Sequence, residues 1–221
     1  MVCFCGCPPI EKSELRKLGY FQQYFHCFAP DYIHELKGQV LGCPYFTVNN
    51  LNRDFIQTKG FSLVFQRTQL VTLCKDFPYF EPYLRRAILS DCNAFYLNPL
   101  WLETGSQVNP HIDRSLRSYC KTVNPPLMVS VLYIDVPDDL LGGELILMIQ
   151  KRQVGKIKPQ KNSLLFFQGD LTHSVNPIIQ GKSRLSLVCE QYCLNEAELR
   201  QIPNFKVESR FNPRSKKSAM D

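Results

Sequence analysis

Two histidines and an aspartate carry the first chemical signal in this sequence. His111 and Asp113 stand two apart in PHIDRS. In an extended strand residues i and i+2 face the same side, so an imidazole and a carboxylate can converge on one ion. His173 follows Asp113 by sixty residues in LLFFQGDLTHSV, just after an apolar run. Two imidazoles and one carboxylate on one face leave iron(II) with open positions for further ligands, although zinc suits the same donors. Eleven residues beyond His173, Arg184 sits in an apolar segment, SRLSLV. A buried guanidinium needs an anion. The distal carboxylate of 2-oxoglutarate would satisfy it through a paired, charge-assisted fork, with the hydroxyl of Tyr133 or Ser186 as an added donor. A nearby Asp or Glu would satisfy a purely structural arginine equally well.

The order of these residues resembles a known family. H-x-D at His111, then Tyr133, then GGEL from Gly142, then LLFF from Leu164, then HSVNPIIQGKSRLS from His173 is similar to the prolyl-hydroxylase-like branch of the iron(II)- and 2-oxoglutarate-dependent oxygenases, over about residues 93 to 192. The resemblance implies a double-stranded β-helix with the metal at its open end. It implies His111, Asp113 and His173 as iron ligands, and Arg184 with Tyr133 as contacts to 2-oxoglutarate, dioxygen being the other co-substrate. The implied activity is hydroxylation of a prolyl residue, a free amino acid or a small metabolite, with release of succinate and carbon dioxide. A jelly roll that binds metal or ligand without turnover is the alternative. Halogenating relatives leave the carboxylate position vacant, whereas Asp113 fills it here. Nucleic-acid repair relatives carry a second arginine six residues after the anchor, where this chain has Glu190, so a nucleic-acid substrate is not expected. In the same resemblance Gly142 and Gly143 turn the chain into a strand, and Pro177 with Gly181 shapes the loop before Arg184.

The elements that must position these groups read as mostly β with flanking helices, a jelly-roll core with an N-terminal α/β supporting region. Leu15, Leu18, Phe21 and Phe25 recur near helical spacing after Ser13, which predicts an amphipathic helix to about Cys27. Short strands are expected in PYFTV, DFIQ and FSLVFQ, and a helix in EPYLRRAIL starting near Pro82. From Asn93 the pattern changes to AFYLNPLWLET, PHIDRS, LMVSVLYIDV, GELILMIQK, NSLLFFQ and SRLSLVCEQ, each an expected strand, followed by a short helix in NEAELRQ. We therefore expect a support region over 1–90, an oxygenase core over 91–203, and a basic, flexible tail over 204–221. Trp101 is expected to pack in the core, Glu144 to lie in a loop, and Arg114 and Arg117 to form a solvated face. His26 and His34 are read as surface or packing residues.

Composition bounds the rest. A 221-residue chain with 44% hydrophobic residues can bury a sizeable core, and a formal net charge of +6 is too modest to argue for nucleic acid. The ten cysteines mostly sit singly in apolar segments, as Cys74, Cys120 and Cys189 do, which reads as reduced thiols rather than a disulfide scaffold. Cys3, Cys5 and Cys7 alternate near the N-terminus, where an ordinary flexible terminus is expected. The sequence has no signal-peptide pattern and no apolar run long enough to span a bilayer, so a soluble, cytoplasmic protein is expected. The expected partner is a small-molecule or peptide substrate.

Overall fold

The computed structural model describes residues 19–48 and 55–210. Its first element, β1 (Phe21–Phe25), corrects the helix expected there. Phe21 and Phe25 have helical spacing, yet the segment forms an edge strand on a partner more than 130 residues away in sequence. Residues 13–18 of that expected helix, and Cys3, Cys5 and Cys7, lie outside the described residues. The helix comes later: α1 (Pro30–Gly42) starts with Pro at its first turn and Asp31 beside its positive N-terminal end, and buries Ile33, Leu36 and Val40. Then follow β2 (Thr47–Val48), β3 (Phe55–Gly60), β4 (Ser62–Gln66), α2 (Leu70–Asp76) and α3 (Glu81–Ala87), the last where EPYLRRAIL predicts it.

The core strands are β5 (Ala94–His111), β6 (Met128–Asp135), β7 (Leu141–Gly142), β8 (Leu145–Ile149), β9 (Arg152–Ile157), β10 (Ser163–Gln168), β11 (Thr172–Val175), β12 (Ile178–Gln180) and β13 (Ser183–Tyr192). After α4 (Glu196–Leu199), capped by Asn195 in a capping box, β14 (Phe205–Glu208) pairs with β4. That strand corrects the expectation that the tail is unstructured from residue 204. Residues 211–221 lie outside the described residues.

The main sheet runs β1-β10-β6-β13-β5-β11-β8-β9, all antiparallel. One strand joins its two halves: β5 is 18 residues long, its first part pairing with β13 and its last with β11. The sequence pattern predicts two strands here, AFYLNPLWLET and PHIDRS, and the structure joins them. Gly155 on β9 lies against the Phe21 ring on β1, so the two ends of the sheet approach each other. This is the expected jelly-roll core.

Alternation along the strands separates two faces. Met128, Leu132 and Ile134 of β6, Leu164 and Phe166 of β10, and Leu185, Leu187 and Cys189 of β13 face outward, against α1, α2 and α3. Val129, Val131 and Tyr133, with Leu165 and Phe167, face the barrel interior. β6 and β10 read as largely apolar runs because both of their faces are covered. No disulfide joins the seven described cysteines to one another. No helix among the described residues is long and apolar enough to cross a membrane.

Candidate metal centre and anion pocket

His111 is the last residue of β5 and His173 lies on β11, and the two are direct partners across that ladder. Their rings are 4.4 Å apart between centroids. Asp113 is not in the strand, because β5 ends at His111. The same-face argument from spacing therefore gives the right neighbour for the wrong reason: the chain turns, and the turn brings the carboxylate back. Asp113 Oδ1 lies 3.3 Å from His111 Nε2, and Oδ2 lies 3.5 Å from His173 Nε2.

The ring tautomers follow from the other nitrogens. His111 Nδ1 is 2.8 Å from the carbonyl of Asn109, and His173 Nδ1 is 3.2 Å from that of Leu171. A carbonyl only accepts, so each Nδ1 donates, and in a neutral imidazole the lone pair is left on Nε2. Both lone pairs then face carboxylate oxygens. Such an arrangement calls for a cation between them, either a proton on one ring or a metal ion. One ligand atom from each of the three residues lies within 4.8 Å of the others, a cluster that can hold a metal ion. Burial lowers the His173 pKa against the pull of Asp113, which keeps the ring neutral at pH 7 and ready to ligate. Burial also pushes the Asp113 carboxyl up, but the two histidines outweigh it and hold it below its ordinary value.

Arg184, Ser186 and Val188 alternate along the inner face of β13, and Tyr133 of β6 is the register partner of Ser186. All six residues singled out in the sequence line one cavity, closed by apolar side chains that include Leu100, Val131, Leu145 and Phe167. Arg184 is 2% exposed, and its Nε and Nη1 are buried with no hydrogen-bond partner. Its guanidinium lies over the Tyr133 ring, 5.4 Å from the centroid. Burial depresses the Arg184 pKa and raises that of Tyr133. The Ser186 hydroxyl donates to the Leu100 carbonyl at 3.5 Å.

Residues 95–189 match the family model described as the 2OG-Fe(II) oxygenase superfamily. The matched segment, rather less than half of the chain, carries the pattern of that superfamily. The oxygenase is thus a dioxygenase whose cofactors are Fe(II), 2-oxoglutarate and dioxygen. No curated protein matches its sequence. Its fold is that of solved prolyl hydroxylases and other oxygenases. A prolyl-4-hydroxylase from Pseudomonas putida aligns with TM-score 0.56 at 16% identity, over 82% of this chain and 97% of that one. A prolyl hydroxylase from Trichoplax adhaerens, solved with a hypoxia inducible factor oxygen degradation domain peptide fragment, aligns with TM-score 0.52 at 18% identity, over 86% and 96%. A 2OG-Fe(II) oxygenase family protein from Burkholderia pseudomallei aligns with TM-score 0.55 at 13% identity, over 83% and 89%.

Other expected roles divide. Arg114 is exposed, but Arg117 donates from Nε to the Val123 carbonyl at 2.8 Å and so braces a loop. Trp101 packs against the outer core while its Nε1 donates to Glu103. Glu144 lies between β7 and β8, ion-paired with Lys156. His34 is an exposed residue of α1, and His26 is exposed with a positive φ. Sequence reasoning noticed Glu190 only as a missing arginine. It lies on the inner face of β13, 3% exposed, and accepts from the Ser115 amide at 3.2 Å, the Ser115 hydroxyl at 2.5 Å and the Tyr192 hydroxyl. Burial, with the Asp113 charge adding, raises its carboxyl to about 8. Its spacing of six from Arg184 was the available signal, since even spacing on a strand means a shared face.

Proposed function

We propose that this oxygenase hydroxylates a substrate C–H bond, with His111, Asp113 and His173 holding Fe(II) and Arg184 holding the distal carboxylate of 2-oxoglutarate. The observation that carries this reading is the buried guanidinium, two of its nitrogens without a hydrogen-bond partner and no carboxylate of the described residues beside it, in the same cavity as the histidine–aspartate cluster. A buried cation without an anion is too costly to keep unless a ligand supplies one. The core doing this work is taken as residues 91–203.

The chemistry supplied when the cofactors are bound is oxidation of the C–H bond by dioxygen, coupled to decarboxylation of 2-oxoglutarate to succinate and carbon dioxide. The chain's own residues bind and orient. Asp113 fills the carboxylate position with an oxygen donor and the histidines offer neutral Nε2 atoms, while Arg184 provides the planar fork that fixes a dicarboxylate at one end. Tyr133 and Ser186 present hydroxyl groups beside that fork, and the apolar wall excludes water. The first substrate to test is a prolyl residue in a peptide, in keeping with the peptide bound by the Trichoplax adhaerens neighbour; free amino acids and small metabolites come next.

The test is to add Fe(II) and 2-oxoglutarate without oxygen to metal-free protein and follow the visible metal-to-ligand charge-transfer band. Wild type is expected to show it and His173→Ala to lack it. Folded wild-type protein with no band would sink the assignment. Succinate formed on adding a prolyl peptide in air would then identify the substrate class.

A further inference from the structure

Asp113 is held by something other than the sheet. β5 stops at His111, and beyond Arg114 the chain enters a short 3-10 turn, Ser115–Ser118. Leu116 is fully buried and the Ser118 hydroxyl closes the turn on the Ser115 carbonyl at 2.9 Å. Among the described residues, the ionisable group that grips this turn from inside the barrel is Glu190 on β13, through both the amide and the hydroxyl of Ser115. Tyr192, two residues along the same face, donates to the same carboxyl group and so fixes its orientation.

We propose that Glu190 is a positioning residue for the metal-ligand carboxylate: by clasping Ser115 it fixes the turn after β5 so that Asp113 faces His111 and His173. The proposal rests on the metal-site reading above. It extends the site one layer outward, since a ligand outside the ladder needs a support of its own to stay within reach of the ion. The clasp works in either protonation state, because a carboxylate accepts from the Ser115 hydroxyl and a carboxylic acid can donate to it. Glutamine reproduces the neutral form, with a carbonyl to accept and an amide to donate. Alanine removes the clasp.

Mn(II) alone, titrated into the full chain and followed by the electron paramagnetic resonance signal of the free ion, tests this without turnover. Circular dichroism melts choose a temperature at which each variant is folded. Glu190→Ala is expected to raise the Mn(II) Kd by about ten- to a hundredfold, the usual effect of losing an outer support, and Glu190→Gln to stay within about threefold of wild type. Ser115→Ala should weaken binding in the same direction. The double variant Glu190→Ala with Ser115→Ala should bind no more weakly than Glu190→Ala alone, since both break one clasp.

Wild-type affinity in Glu190→Ala, or additive losses in the double variant, would overturn the proposal. Should Glu190→Ala fail to fold, wild-type affinity in Ser115→Ala overturns it instead. Folded wild type that takes up no Mn(II) removes the metal-site reading and this proposal with it. Wild-type uptake with unchanged variants removes only the proposal.

Discussion

At the residue scale the site contrasts two buried ionisable groups. Arg184 has the cavity in front of it and two buried nitrogens without partners, so its stability depends on what enters. Arg184→Lys keeps the charge but replaces the fork by a point charge. We expect the 2-oxoglutarate Kd to rise roughly ten- to a hundredfold, about 1.4–2.8 kcal/mol, measured by isothermal titration with Mn(II) in place of iron; an unaltered Kd would place the anchor elsewhere. Glu190 has its partners already, yet burial holds its carboxyl near 8 against an ordinary 4.5. A raised folded-state value contributes stability that is complete below the unfolded pKa and is lost as pH rises through the folded one. Between pH 5 and 8 the metal-free wild type should therefore lose melting temperature relative to Glu190→Gln, which cannot titrate. Parallel melting curves for the two proteins across that range would mean that Glu190 titrates normally.

At the element scale the loops into and out of the site depend on backbone shape. Gly142 has φ +83°, and a Cβ built there would lie 2.1 Å from the Pro177 carbonyl oxygen, across the small β7–β12 ladder. Gly142→Ala should thus destabilise the fold by about 1–3 kcal/mol, read from urea unfolding, and a neutral result would show that this ladder can open without cost. The strands that position the site were legible because β6, β10 and β13 are rich in apolar and β-branched or aromatic residues between turn signals, and both GG and the P…G loop were visible as turns. β1 was not legible: FQQYF has no strand alternation, and its pairing with β10 is set by a segment far along the chain. β9 hid behind Arg152, Gln153 and Lys156, which an edge strand can leave exposed. β14 was lost for the same kind of reason, because its partner β4 lies about 140 residues earlier and nothing local marks FKVE as bound. The metal triad was readable as residue types, but the turn after Asp113 was not, since Glu190, which grips Ser115 there, lies 75 residues further along the chain.

At the scale of the whole molecule, the helices and the chemistry occupy opposite faces of the same strands. Glu190 points into the barrel, and Gln191, the next residue, points out towards the helical layer. Gln191 pins that layer: its Oε1 accepts from the Leu89 amide at 2.8 Å, and its Nε2 donates to the Ala87 carbonyl at 2.9 Å. Tyr83 of α3 and Ser130 of β6 add a second buried hydroxyl contact at 2.9 Å. Replacing Gln191 by Leu keeps the volume but strands one buried amide and one buried carbonyl. Each costs about 1–3 kcal/mol, so a total near 2–4 kcal/mol is expected in urea unfolding once partial relaxation is allowed for. Because the two faces are served by different cores, the Mn(II) affinity of the folded variant should match wild type, in contrast to the neighbouring Glu190→Ala. A change in affinity alongside the loss of stability would mean that the helical layer holds the metal centre in shape through β13, and that the two faces act as one unit.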